Sequence, residues 1–288
     1  MFNSLVWGLS WWPFRQLEAQ GLHPLWATVL VYVPTVAVIV AARPRAVAQL
    51  LHDRALWVLM LAAGATNAAF NWAAVIGDVV RVALLFYLMP LWSMLLARWL
   101  LKESLTPMAG IRMALALLGA GIVLAAPGAG GAPGLPLPQS LADWLGLVGG
   151  FAFALNNVML KRAADRPEEG RVLAMFVGGA VVAATLAVAL SAAGAIAWPL
   201  AASVTPRPWW VPVMVLTLSA LLLCSNLALQ FGAVRLPVEV SSVLMLSEVL
   251  FAAVSAALLG AGRITFSLLV GGALIVLTAA WAARKPAH

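Results

Sequence analysis

From Pro24 to Ala42 the chain carries no charged or amide side chain, and the same holds from Val172 to Pro206. Uninterrupted apolar stretches of this length constrain the fold more than any motif does. A helix of roughly 20 apolar residues matches the hydrocarbon thickness of a bilayer. Composition agrees: charged residues are 9% of the 288, apolar residues 64%, and mean hydropathy is +1.01. A soluble domain carries about a quarter charged residues. This chain has too little polar surface to cover a globule, so its solvent is lipid.

Ten spanning helices are expected, at about 3–20, 24–42, 55–76, 79–98, 107–126, 143–162, 171–191, 209–232, 237–259 and 265–283. The first contains Pro13, Arg15 and Glu18, and a nine-helix reading omits it. The basic residues set the sidedness. Of the 17 Lys and Arg, only Arg15, Arg81, Arg207 and Arg263 fall on one side of this arrangement. The positive-inside rule then places both termini in the cytoplasm. It also accounts for the net charge of +7 without a nucleic-acid partner. No basic, cleavable leader opens the chain.

The second half of the chain echoes the first. Asn67 and Asn71 stand four residues apart in an apolar segment, followed by a turn at Gly77-Asp78 and then Pro90. Asn226 and Gln230 repeat the polar pair at one constant interval, a turn at 232–237 repeats the break, and Glu248 falls within one residue of the place of Pro90. The Gly- and Pro-rich stretch 127–142 divides the chain into a first unit, 1–126, and a second, 143–288. Five spans in each half force opposite orientations, the inverted-repeat plan of secondary transporters. The fold class expected is therefore all-α and integral to the membrane, with ten helices in two inverted five-helix repeats.

Polar groups in apolar helices are the candidate site. Glu248 lies at the centre of its segment, where a carboxylate costs about 2.5–3.5 kcal/mol on insertion scales. It either binds a substrate ammonium, carries a proton, or serves as a protonated structural acid. Asn67 with Asn71, and Asn226 with Gln230, each share a helix face. Amides donate and accept, which suits a zwitterion, although interhelical bonding is the plainer role of any one of them. Of Asn156 and Asn157, only one can face a cavity, and Asn157, opposite Trp11, is selected. Tyr87, Trp92, Trp11 and Met245 are candidates for an apolar wall. Pro90 and Pro13 are candidate hinges. Asp78 with Arg81, and Arg235 with Glu239, are possible gate pairs or ordinary interfacial charges. Gly110, Gly119, Gly121, Gly271 and Gly272 read as packing surfaces.

Enzyme chemistry finds no footing. His23, His52 and His288 lie in loops or the tail, no metal or cofactor is called for, and neither a Gly-x-Ser-x-Gly elbow nor a phosphate-binding loop is present. Cys224 alone supports no disulfide.

Residues 90–125, PLWSMLLARWLLKESLTPMAGIRMALALLGAGIVLA, and 248–277, EVLFAAVSAALLGAGRITFSLLVGGALIVL, resemble the EamA repeat of the drug/metabolite transporter superfamily. The turn at Lys102-Glu103-Ser104-Leu105-Thr106 fits its pattern, while Gly260-Ala261-Gly262 lacks the glutamate. Within the superfamily, Tyr87-Leu88-Met89-Pro90, Trp7-Gly8 and the stretch 23–32 are similar to the YddG-type aromatic amino acid exporters. The resemblance implies a ten-helix bundle in a bacterial inner membrane, monomeric or weakly oligomeric. It also implies a central cavity and export of small molecules, amino acids or related metabolites.

Overall fold

The computed structural model describes residues 2–100, 107–125, 137–199, 208–235, 248, 251–252, 254–260 and 265–283, a few helical side chains excepted. Every regular element among them is helical. In chain order these are α1 (Phe2–Ala19), α2 (Pro24–Ala42), α3 (Arg45–His52), α4 (Arg54–Ile76), α5 (Val79–Phe86) and α6 (Met89–Leu100). They continue with α7 (Pro107–Ala125), α8 (Leu141–Arg162), α9 (Glu168–Ala192), α10 (Trp210–Arg235) and α11 (Phe266–Ala283). Each expected span has a helix at its place except 237–259, which lies mostly outside the described residues. Of that stretch, 248, 251–252 and 254–258 are helical. Among the described residues, 6 helices are long and apolar enough to cross a membrane, with α5 and α6 counted together.

Local chemistry explains the boundaries. Pro24 at the start of α2 needs no amide partner, and His23 Nδ1 accepts from the Leu25 amide at 3.3 Å. The short α3 was not expected as a helix. It buries Ala46 and Leu50, four residues apart, while Asp53 ends it and caps α4 by accepting from the Ala55 amide. Asp78 caps α5, accepting from the amides of Val80 and Arg81 at 3.0 Å. Ser140 caps α8 through the Asp143 amide.

The span expected at 79–98 is two helices, and this corrects the placing of its proline. Helix ends at Phe86, turns through Tyr87 and Leu88, and resumes at Met89. Pro90 is thus not at mid-helix but in the first turn of α6. A proline disturbs the residues before it and is welcome in a first turn, so the break falls N-terminal to Pro90. The Phe86 carbonyl, left without a proline amide, abuts α8 at Gly150, where an added Cβ would stand 2.5 Å from it. Pro13, by contrast, lies within a continuous α1.

Small residues set the helix crossings. α4 packs on α8 and α9, α2 on α9, α1 on α10, and α7 on α11. At the α4–α9 crossing Gly64 and Gly178 leave room for backbones that any Cβ on either would strike. Gly119 meets Gly271 where α7 crosses α11, and Gly272 rests on Leu84, whereas Gly110 faces no described atom. Between α2 and α10 hydroxyls do this work: Ser219 donates to the Val31 carbonyl, and Thr35 donates to the Ser219 carbonyl. The outer face carries exposed Val38, Leu61, Leu117, Leu216 and Leu269, as a lipid-facing surface requires.

Candidate functional site

A cavity lies among α1, α2, α4, α5, α8, α9 and α10, with Glu248 in its lining. One wall is aromatic. Trp7 of α1 meets Phe70 of α4 edge-on at 6.4 Å, Phe70 meets Phe86 of α5 at 4.9 Å, and Phe86 meets Phe153 of α8 at 5.4 Å. These three contacts join four helices through edge-to-face and tilted rings, the arrangement that ring quadrupoles favour. Tyr32 of α2 and Phe176 of α9 form a second aromatic contact at 5.5 Å, and Gly179 leaves the space the Tyr32 ring occupies.

The polar lining consists of Asn3, Thr66, Asn67, Asn156, Asn226 and Glu248. Glu248 is hydrogen-bonded to the Tyr87 hydroxyl. Its backbone approaches α1 at Gly8, where an added Cβ would lie 2.8 Å from the Glu248 carbonyl oxygen. Asn67 Nδ2 donates to the Ala63 carbonyl of its own helix, and Asn3 Oδ1 accepts from Ser225 at 2.7 Å. Asn156 is 2% exposed, and its Oδ1 finds no partner among the described residues. No Lys, Arg or His appears among the described residues that line this space.

Of the residues singled out in the sequence, Asn67, Asn226 and Glu248 come together here. Tyr87 reaches the site through Glu248. Asn71 does not: it is buried against α2, donating to Thr28 Oγ1 at 3.1 Å. Trp11 ties α1 to the 254–258 segment by donating to Ser255 Oγ at 3.0 Å, with Arg15 over its ring. Asn156, not Asn157, lines the cavity, because the two point about 100° apart on α8. Trp92 packs on Phe151 instead of the lining. The Gln230 side chain, Met245 and the Arg235–Glu239 pair lie outside the described residues. Sequence reasoning did not single out Asn3, Thr66 or Tyr32 and Phe176. Asn3 stands four residues before Trp7, a helical spacing that was available as a signal.

The end of the bundle where α8 begins is sealed by charge. Arg81 of α5 grips Asp143 of α8 with two parallel bonds, Nε to Oδ1 at 2.8 Å and Nη2 to Oδ2 at 3.0 Å, both side chains nearly fully buried. Asp143 Oδ2 also accepts from the Gln139 amide. Beside them Arg15 of α1 donates to the carbonyls of Ala74 and Gly77 at the end of α4. Asp78, considered from the sequence as a partner of Arg81, also serves as the cap of α5.

Residues 1–125 match the model of the EamA-like transporter family, a family of transporters and not of enzymes. No curated protein matches the chain. A crystal structure of a protein, described in no further terms, aligns with 97% of this chain and 93% of its own length. Its TM-score is 0.58 and its identity 21%, a likeness of fold alone. The chain is a multi-pass membrane protein whose first 125 residues are similar to the EamA-like transporter family.

Proposed function

We propose that this protein is a secondary transporter that exports aromatic or apolar amino acids and related metabolites by alternating access about the central cavity. The observation that carries the reading is an aromatic-walled space with a half-buried carboxyl, Glu248, drawn from both halves of the chain. Helix packing supports two inverted five-helix repeats, 1–126 and 143–288, joined by 127–142. Exchanging each helix for its counterpart turns the α4–α8 contact into the α1–α10 contact and the α4–α9 contact into the α2–α10 contact. The α2–α9 and α7–α11 contacts map onto themselves.

The Arg81–Asp143 pair closes one end, while Asn3, at the start of α1, and Asn156, near the end of α8, extend the cavity towards the other. With the termini in the cytoplasm, this is a state that loads from inside. Tyr87 and Pro90 flank the α5–α6 break, which is the proposed hinge, with Pro13 in α1. A second reading, proton-coupled export of another metabolite or a drug, rests on the bond between Tyr87 and the intramembrane carboxyl of Glu248.

Uptake of labelled amino acids into proteoliposomes, with and without a pH gradient, tests both. Saturable uptake favouring large apolar or aromatic side chains without a gradient supports the first reading. Uptake only with a gradient supports the second, and no uptake of any amino acid in either condition overturns the substrate.

A further inference from the structure

The cavity has an imbalance that bears on its ligand. Its described lining holds one carboxyl and four amides but no cationic side chain. A ligand ammonium has a charged partner in Glu248. A ligand carboxylate has none among the described lining residues, and a buried charge without a partner is costly. Seating a zwitterion beside an ionised Glu248 leaves one negative charge over, whereas seating an amine leaves the site neutral.

The hydrogen-bonding groups lean the same way. An alkylammonium offers three N–H donors and requires acceptors. Asn156, 2% exposed, presents an oxygen with no partner among the described residues, in the lining of the same cavity as Glu248. A buried acceptor left unsatisfied is destabilising unless something else satisfies it. One Asn156 N–H is turned to Asn157 Oδ1 and one Asn67 N–H is spent on its own helix, so each of these amides keeps one fewer donor for an anion. The Trp7–Phe70–Phe86–Phe153 wall supplies ring faces for an apolar body and, near a cation, added attraction.

We infer that the preferred ligand is a primary arylalkyl amine without an acid group, held by Glu248 and Asn156, and that Asn156 sets specificity for N–H donors. This rests on the cavity being the substrate site.

The test uses the full chain purified in detergent, with dissociation constants taken from ligand-dependent thermal unfolding. The probes are phenethylamine, L-phenylalanine, N,N,N-trimethylphenethylammonium and 3-phenylpropionate. Phenethylamine binds at least about tenfold tighter than phenylalanine, and phenylpropionate weakest; a tenfold difference is one cleanly paired charge or hydrogen bond. The trimethylated ion, which keeps the charge and loses the N–H groups, binds about tenfold weaker than the primary amine. Asn156→Leu removes that preference, and Asn156→Asp, which only accepts, keeps it. Asn156→Ser serves as the truncation if the leucine variant does not fold. Phenylalanine binding as tightly as phenethylamine overturns the inference and leaves the amino acid reading standing. Equal binding of the primary and trimethylated ions overturns the role of Asn156. Absence of binding by all four probes overturns the site itself.

Discussion

Replacing Arg81 by leucine leaves the Asp143 carboxylate buried without its guanidinium partner and held by backbone amides such as that of Gln139. Each charge-assisted bond contributes about 1.5–3 kcal/mol, so losing both costs about 3–5 kcal/mol, the range seen when a buried pair loses one partner. Asp143→Leu falls in the same range, since it removes the carboxylate that accepts from the guanidinium and from the Gln139 amide. The double variant Arg81→Leu/Asp143→Leu removes both charges from an apolar setting and costs about 0–2 kcal/mol. The two changes therefore couple by several kcal/mol, a sign opposite to simple accumulation of damage. Thermal unfolding of the four proteins in one detergent, followed by tryptophan fluorescence, measures the cycle. Single variants each within about 1 kcal/mol of the parent, or strictly additive losses, refute a buried and mutually dependent pair.

Four further outcomes follow from the geometry. Glu248→Gln keeps the fold, since the Tyr87 hydroxyl retains an acceptor, but abolishes or uncouples transport in proteoliposomes; unchanged transport at every pH sinks the role given to this residue. Gly178→Ala drives a Cβ into the Met60 carbonyl and costs about 1–3 kcal/mol by overpacking, read as a lower unfolding midpoint, whereas Gly110→Ala, with no described atom nearby, leaves it unchanged. Asn71→Ala lowers stability by about 1 kcal/mol through its lost bond to Thr28 and leaves ligand affinity intact, while Asn67→Ala changes affinity; ligand-dependent unfolding separates the two. Burial holds the His23 imidazole below its ordinary value, so its neutral form is the folded form. Its contribution is full above about pH 6.5 and is lost as pH falls, because the unfolded chain takes up the proton first. His23→Asn, which keeps an N-cap acceptor, flattens that part of the pH–stability curve.

The sequence by itself determined the class of fold and most of the helices. Apolar length is a one-dimensional property, because a bilayer demands spans long enough to cross it whatever they pack against. Caps are equally local, since Asp53, Asp78 and Ser140 act on amides two or three residues ahead, although none was singled out as a cap from the sequence. Glu248 was legible as well, since a carboxyl in the middle of an apolar segment needs a site or a partner wherever the segment goes.

Tertiary structure decided which polar side chain faces which neighbour. Asn67 and Asn71 differ by only about 40° around α4. That is enough to set one in the cavity and the other against Thr28, and only the placing of α2 distinguishes them. Asn156 replaces Asn157 in the lining by the rotation of α8. Arg81 has Asp78 three residues away, yet its guanidinium grips Asp143, 62 residues on, because the packing of α5 on α8 brings the two side chains together. A spacing along the chain states which groups are able to meet; the crossing of helices, set here by glycines such as Gly64, Gly178 and Gly150, decides which do.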